Sequence, residues 1–178
     1  MSAPELSRLV KPRALPAEAM TVTADTAERD ALAARFGVTA VPSLAAHVEF
    51  TTDEQAVLAN GKLIATIQQP CAITGEELTY DVEEALVLRF VPAGSVAEYA
   101  PDEEIELDSE DLDVIEYEGD AFDLGEAIAQ SLALAIDPYR EGEGANEARE
   151  KAGIVSDEDK APSGPLADAL AALKGNNG

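Results

Sequence analysis

The chain has 178 residues, with 12 Lys and Arg against 36 Asp and Glu, so its formal net charge is −24. This acidity argues against a broad cationic surface for a nucleic-acid backbone or an anionic membrane. A single cysteine and a single histidine exclude an intramolecular disulfide and a multi-cysteine zinc site. Because 46% of the residues are apolar and only 4% are aromatic, the core must be built from aliphatic side chains.

The first elements predicted along the chain are a short strand and a helix. Residues 20–23 alternate as a strand does. Asp25 and Glu28 have the spacing of a capping box, which predicts a helix over 26–36. Gly37 supplies its C-terminal stop.

Alternating apolar and polar residues predict three long strands, at 43–51, 56–69 and 78–90. The alternation in the first strand places His47 on the solvent side, so we expect an ordinary surface histidine. Gly61 interrupts the second strand. A turn there would leave only three residues before it, so we expect a β-bulge at this glycine.

The second half of the domain is acidic. No Lys or Arg occurs between Phe90 and Tyr139, and 14 acidic residues lie between Glu98 and Glu126. Residues 92–113 are typical of a solvated acidic loop, and 114–117 of a short edge strand. Asp123 and Glu126 then repeat the capping-box spacing and predict a helix to about residue 136.

These elements predict an α+β fold in which two helices cover the apolar face of an antiparallel sheet. The length of the strands leaves a partly closed barrel open as an alternative. We expect residues 1–139 to form one domain, with a disordered acidic loop inside it. Residues 140–178 are expected to be a flexible tail, disordered over 140–163, in which 165–174 has the pattern of a short amphipathic helix.

The sequence offers little for catalysis. Phosphate-binding and dinucleotide-binding motifs are missing, no carboxylate pair stands out, and Cys71 has the context of a buried small hydrophobe. We therefore expect a non-enzymatic protein with no catalytic residue, cofactor, metal or small-molecule substrate. No targeting or membrane-spanning segment is recognisable, which favours a cytoplasmic location.

Four segments together resemble one known family. They are ELSR at 5–8, GKLIATIQQPC at 61–71, LRFVP at 88–92 and FDLGEAIAQSLALAIDPY at 122–139. They are similar to the YceD family, the bacterial large ribosomal RNA subunit accumulation proteins, and most like its alphaproteobacterial members. The resemblance implies a cytoplasmic, non-enzymatic ribosome biogenesis factor needed for normal accumulation or processing of large-subunit ribosomal RNA.

The chain departs from many relatives at its cysteines. Those relatives carry a second cysteine three residues after the first, and a cysteine cluster near the C-terminus. Here position 74 is Thr, and YREG follows the helix at 139–142. A zinc site inferred for those relatives does not transfer, because Cys71 alone cannot supply a tetrahedral ligand set.

Two sets of candidate contact residues follow, for a large-subunit RNA precursor and for a basic large-subunit ribosomal protein. Phosphate contacts need cations, and Arg8, Lys11 and Arg13 form the basic cluster of the domain, with Lys62 as a fourth candidate. Three solubilising surface charges are the alternative interpretation.

The acidic stretch 98–126 is the candidate site for a basic partner, either a ribosomal protein or a basic patch on the precursor particle. Since residues 1–139 carry 7 basic and 28 acidic residues, a net −21, this surface would repel phosphate and attract cations. A solvated loop without a partner, or a generic acidic interaction module unrelated to ribosomes, are the alternatives. The candidate contacts are Asp102, Glu103, Glu104, Glu106, Asp108, Glu110, Asp111 and Asp113.

Overall fold

A five-stranded sheet carries most of the fold in the computed structural model, which describes residues 4–54, 56–95 and 113–154. In chain order the elements are β1 (Leu9–Val10), a 3-10 turn (Pro12–Ala14), β2 (Met20–Thr23), α1 (Thr26–Phe36), β3 (Ala40–Asp53), β4 (Ala56–Pro70), β5 (Glu77–Pro92), β6 (Asp113–Tyr117), β7 (Phe122–Asp123), α2 (Leu124–Ala135) and α3 (Ala145–Lys151). The α+β class is thereby confirmed, and the three predicted long strands are β3, β4 and β5.

The sheet is open and mixed. Its strand order is β2-β3-β4-β5-β6, and the described strands do not close into a barrel. The first four strands pair antiparallel, as predicted, but β6 runs parallel to the end of β5, with Leu88 opposite Asp113. The predicted antiparallel arrangement therefore holds for β2 to β5, and β6 makes the sheet mixed. Such a parallel pairing becomes available when a long connection returns the chain to the other end of a strand.

The bulge expected at Gly61 was also wrong. Gly61 pairs in regular register with Val48 of β3 and with Leu86 of β5. Gly61 allows β4 to approach the backbone of β3 closely, because a Cβ atom at this position would lie 2.0 Å from the carbonyl oxygen of His47. The irregularity in the pairing of β3 with β4 lies instead between Ala40 and Ser43.

Both predicted helices are present, and one of the two capping boxes is complete. In α1, Asp25 accepts from the Glu28 N–H, Glu28 returns a hydrogen bond to the Asp25 N–H, and Gly37 ends the helix in the left-handed conformation. In α2, the carboxylate of Asp123 accepts from the first turn as predicted. The carboxylate of Glu126 does not complete a box but binds Arg35.

The core lies between one face of the sheet and the two long helices. Alternate residues of β3 to β5 join Leu32 of α1 and Ile128 and Leu132 of α2 in one buried apolar cluster. The opposite face of the sheet is turned outward. His47 is exposed there, as predicted, and its Nδ1 lies 2.9 Å from the hydroxyl of Thr21.

The chain divides into two compact units. One comprises residues 1–70 with 77–139, and the other comprises 71–76 with 140–178. The second unit contains α3, in a segment expected to be disordered. Short polar sequences of this kind can form a helix when ion pairs support it, here Lys151 with Glu147 one turn apart at 2.7 Å. Of the loop predicted over 92–113, residue 92 ends β5 and residue 113 begins β6, and residues 96–112 lie outside the described residues, as does the helix predicted over 165–174.

Candidate functional site

Arg8, the first of the candidate RNA contacts, is bound within the fold. Its guanidinium makes a two-pronged ion pair with Glu28 of α1, at 2.6 and 2.9 Å, and donates to the carbonyls of Ser7 and Thr23. This contact raises the pKa of Arg8 and lowers the pKa of Glu28 below its ordinary value of 4.5. Two-pronged pairs of this geometry are the strong ones in proteins. Arg8 therefore has a structural role.

Arg8 belongs to a contact between two distant segments, which we call the clasp: residues 5–10 with residues 122–126. β1 pairs with β7 at its centre, opposing Leu9 to Asp123 and Val10 to Phe122. The carboxylate of Asp123 accepts from the Arg8 N–H at 2.7 Å and from the Ser7 hydroxyl at 2.6 Å. The same carboxylate caps α2, so one side chain organises both segments.

Gly125 makes the clasp possible. A Cβ atom at this position would lie 2.8 Å from both the Leu6 carbonyl oxygen and the Arg8 nitrogen. Only glycine allows the two backbones to come this close. The ELSR and FDLG segments of the family resemblance thus meet in space, although more than a hundred residues separate them in sequence.

Arg35 of α1 closes the same region from the helix side. Its guanidinium lies 2.8 Å from Glu5 and forms two hydrogen bonds to Glu126, at 2.8 and 2.9 Å. The pair lowers the pKa of Glu126 and raises that of Arg35. These contacts join both ends of the clasp to α1.

The three remaining basic candidates are not gathered into one surface. Lys11 follows β1 and pairs with Asp120 at 2.8 Å, while Lys62 lies on the outward face of β4 and pairs with Glu83. Arg13 lies in the 3-10 turn, and the pKa of Asp120 is lowered by the hydrogen bond from Lys11 and also by the charge of Arg13. No described contact brings Lys62 to the other three.

Most of the cations of residues 1–139 already have carboxylate partners. Five of the seven form ion pairs. Of the acidic candidates, Asp113 begins β6 beside Leu88, and the seven from Asp102 to Asp111 lie outside the described residues. The electrostatic field around residues 1–139 is consequently set by their excess of carboxylates.

Described residues of the first unit line at least two clefts. One, of about 560 Å³, lies where β3 turns into β4, and Arg89 pairs with Asp53 across it at 3.5 Å. The other, of about 270 Å³, lies between β5 and the C-terminal turn of α2. We call the second the β5–α2 cleft, and it is lined by Glu84, Ala85, Val87, Leu88, Ser131, Leu134 and Ala135.

The surroundings of Cys71 test whether a metal site fits this chain. Cys71 is buried, as predicted, and its sulfur accepts hydrogen bonds from the N–H groups of Thr74 and Gly142, at 3.4 and 3.3 Å. Bonds from Thr74 first, then from Gly142 and Ile73, lower the pKa of Cys71 to about 7. Among the described residues no three metal-ligating side chains come together, so the described surroundings of Cys71 do not fit a tetrahedral zinc site.

A model of one protein family matches residues 59–174, which is more than half of the chain. Its description is large ribosomal RNA subunit accumulation protein YceD. The chain belongs to the YceD family. The resemblance stated from the four segments is thus confirmed. No curated protein and no solved structure gives a significant match. In the part of the chain that the structure describes, every helix is too short or too polar to cross a bilayer.

Sequence reasoning missed the β5–α2 cleft. The helical spacing of Leu124, Ile128, Leu132 and Ala135 predicts a buried stripe on α2; the first three are buried, and Ala135 lines the cleft. Leu134 lies outside that stripe and is 85% exposed. A large apolar side chain off the buried stripe of a YceD-family helix was the available signal.

Proposed function

We propose that this YceD-family chain is a non-enzymatic, cytoplasmic factor that supports the accumulation and processing of large-subunit ribosomal RNA. The family description, which names that RNA, supports the general role. We further propose that its direct contact is a basic large-subunit ribosomal protein, or a basic patch on the precursor particle, and not bare RNA.

The charge of residues 1–139 is the observation that carries this choice of partner. Their net charge is −21, and five of their seven cations already pair with carboxylates. A phosphate group approaching this surface would have to displace those carboxylates against a repulsive field. A basic protein meets the opposite situation, since complementary charge speeds its encounter and selects it over other partners.

Depleting the protein tests the general role. The proposal expects precursor large-subunit RNA to rise and mature RNA to fall, and expects the protein to co-sediment with large-subunit precursors. Unchanged levels of both RNAs after depletion would contradict it. Co-sedimentation also separates this function from that of a generic acidic module, which would bind basic partners without following the precursor particles.

Titration of the purified chain identifies the direct contact. We expect basic large-subunit proteins to bind at physiological salt and naked large-subunit RNA to bind weakly. Reversing Lys11 and Arg13 to Glu tests the RNA alternative without disturbing Arg8, whose reversal would set two carboxylates against each other at Glu28. Tight RNA binding that this double reversal abolishes would contradict the choice of a protein partner.

A further inference from the structure

The edge of β5 at the β5–α2 cleft is open in the part of the chain that the structure describes. β4 pairs with β5 from Glu77 to Phe90, but β6 pairs with it only from Leu88 to Pro92. Residues 83–87 therefore have a described strand partner on one side only. Residues of both faces of β5 line the cleft, so the cleft follows this edge. An open edge is a template for the backbone of another extended segment.

The cleft also contains apolar side chains that the fold does not cover. Leu134 is 85% exposed and Val87 is 44% exposed, and both line it. Leu134 lies on the last turn of α2, on the side away from the buried Leu132. At about 270 Å³ the cleft lies below the roughly 300–1,000 Å³ of a typical small-molecule site. Its size suits one or two side chains of an extended peptide better.

The charge around the cleft is negative from two sources. The strand from Glu77 to Val87 carries four acidic residues and no basic residue, and Lys62 pairs with one of the four, Glu83. The C-terminal end of α2 forms the other wall, and the last turn of this helix contains no basic residue to balance the partial negative charge of its carbonyls. Both walls therefore favour a cationic occupant.

We propose that the β5–α2 cleft binds an extended basic segment of a protein partner. This segment adds a strand to the edge of β5 at 83–87, inserts an apolar side chain beside Leu134, and presents Lys or Arg to Glu84 and to the end of α2. The proposal rests on the proposed function, because segments of this composition are what a basic ribosomal protein would offer. The proposed contact is made by described residues, and it is a different site from the acidic stretch 98–126.

Hydrogen exchange of the full chain tests the proposal, with a synthetic peptide of about eight residues that alternates Lys with Val or Leu as the probe. A peptide with Glu in place of Lys is the control. We expect the Lys peptide to slow exchange at least tenfold at those amides of residues 83–87 that point away from β4, and the Glu peptide to have no effect. Slow exchange at these outward-pointing amides in the free chain would show that its own residues occupy the edge, and would overturn the proposal.

Matched substitutions test the two walls of the cleft. Leu134→Glu and Glu84→Lys should each weaken peptide binding at least tenfold. Ala133→Glu adds the same charge to the neighbouring exposed position of α2, and Glu49→Lys makes the same reversal on β3; neither residue lines the cleft. These two controls should change binding less than threefold. Equal losses of peptide binding in the controls would show that the effect comes from net charge alone, and would contradict the proposal.

A cellular test separates this proposal from the proposed function. In cells depleted of the native chain, a chain with both Leu134→Glu and Glu84→Lys should fail to restore mature large-subunit RNA, while the chain with both control changes restores it. If depletion lowers mature large-subunit RNA and the cleft variant restores it fully, the proposal for the cleft is contradicted and the proposed function is retained. No RNA change on depletion would overturn the function itself.

Discussion

The clasp and the β5–α2 cleft differ in how many contacts their side chains make within the fold. In the clasp, the carboxylate of Asp123 accepts from three backbone N–H groups and the Ser7 hydroxyl, and Gly125 leaves no space for a methyl group. In the cleft, Leu134 and Val87 remain open to water. The segments that make the family recognisable thus include the clasp, where structure demands particular residues. The surface available to a partner has no such signature.

The largest effect that we expect is steric and lies in the clasp. Gly125→Ala would place a methyl group 2.8 Å from backbone atoms of Leu6 and Arg8, neither of which can move without opening the clasp. We expect a loss of about 3 kcal/mol in the free energy of unfolding, measured by denaturant titration. Gly144→Ala, whose Cβ would meet its nearest atom at 3.4 Å on the Glu76 side chain, is the matched control and should cost less than about 1 kcal/mol. Similar losses in both variants would contradict the tight approach at Gly125.

The next effect is the loss of the shared acceptor. Asp123→Ala removes the cap of α2 together with the bonds to Ser7 and Arg8, and should lower stability by about 2 kcal/mol. Asp120→Ala removes an exposed partner of Lys11 and should leave the stability nearly unchanged. Thermal unfolding of the two variants checks the difference. Equal melting temperatures would show that the clasp does not hold its segments together.

A smaller, pH-dependent effect comes from Glu28. Its pKa is lowered below 4.5 chiefly by the hydrogen bond from Arg8, so its contribution to stability is complete above pH 4.5 and is lost as the pH falls through the lowered pKa. Glu28→Gln should therefore be less stable than the natural chain at pH 7. Unfolding experiments at a series of pH values should show the stabilities of the two chains converging as the pH falls below 4.5 and through the lowered pKa. A constant difference across this range would contradict the ion pair.

The smallest effect on stability belongs to the cleft. Leu134→Glu and Glu84→Lys alter exposed side chains, so each should change the free energy of unfolding by less than about 0.5 kcal/mol. Denaturant titration of these two variants and of Gly125→Ala compares the free energy of unfolding in the cleft and clasp variants directly. A loss above about 2 kcal/mol in either cleft variant would show that the cleft supports the fold.

The local rules of the sequence predicted most elements and little of their assembly. Asp25 and Gly37 mark both ends of α1 correctly because caps depend on neighbouring residues. The parallel pairing of β6, the role of Gly61 and the binding of Glu126 to Arg35 depend on segments far apart in sequence. Periodicity carries no information about such contacts.

The candidate site shows the same limit. Arg8, Lys11 and Arg13 are close in sequence, yet Arg8 is held by Glu28 and Lys11 by Asp120. Counting cations along the chain cannot reveal which carboxylate each one meets. The exposed Leu134 could have been noticed from its position outside the buried stripe of α2, but the open edge of β5 beside it requires the strand order.

Co-sedimentation of matched variants with large-subunit precursors tests the central claim most directly, namely that the clasp serves the fold and the cleft serves recognition. The chain with Leu134→Glu and Glu84→Lys should retain the melting temperature of the natural chain and lose at least tenfold of its association with the particles. The chain with Ala133→Glu and Glu49→Lys should keep both. Undiminished association of the cleft variant would contradict the account.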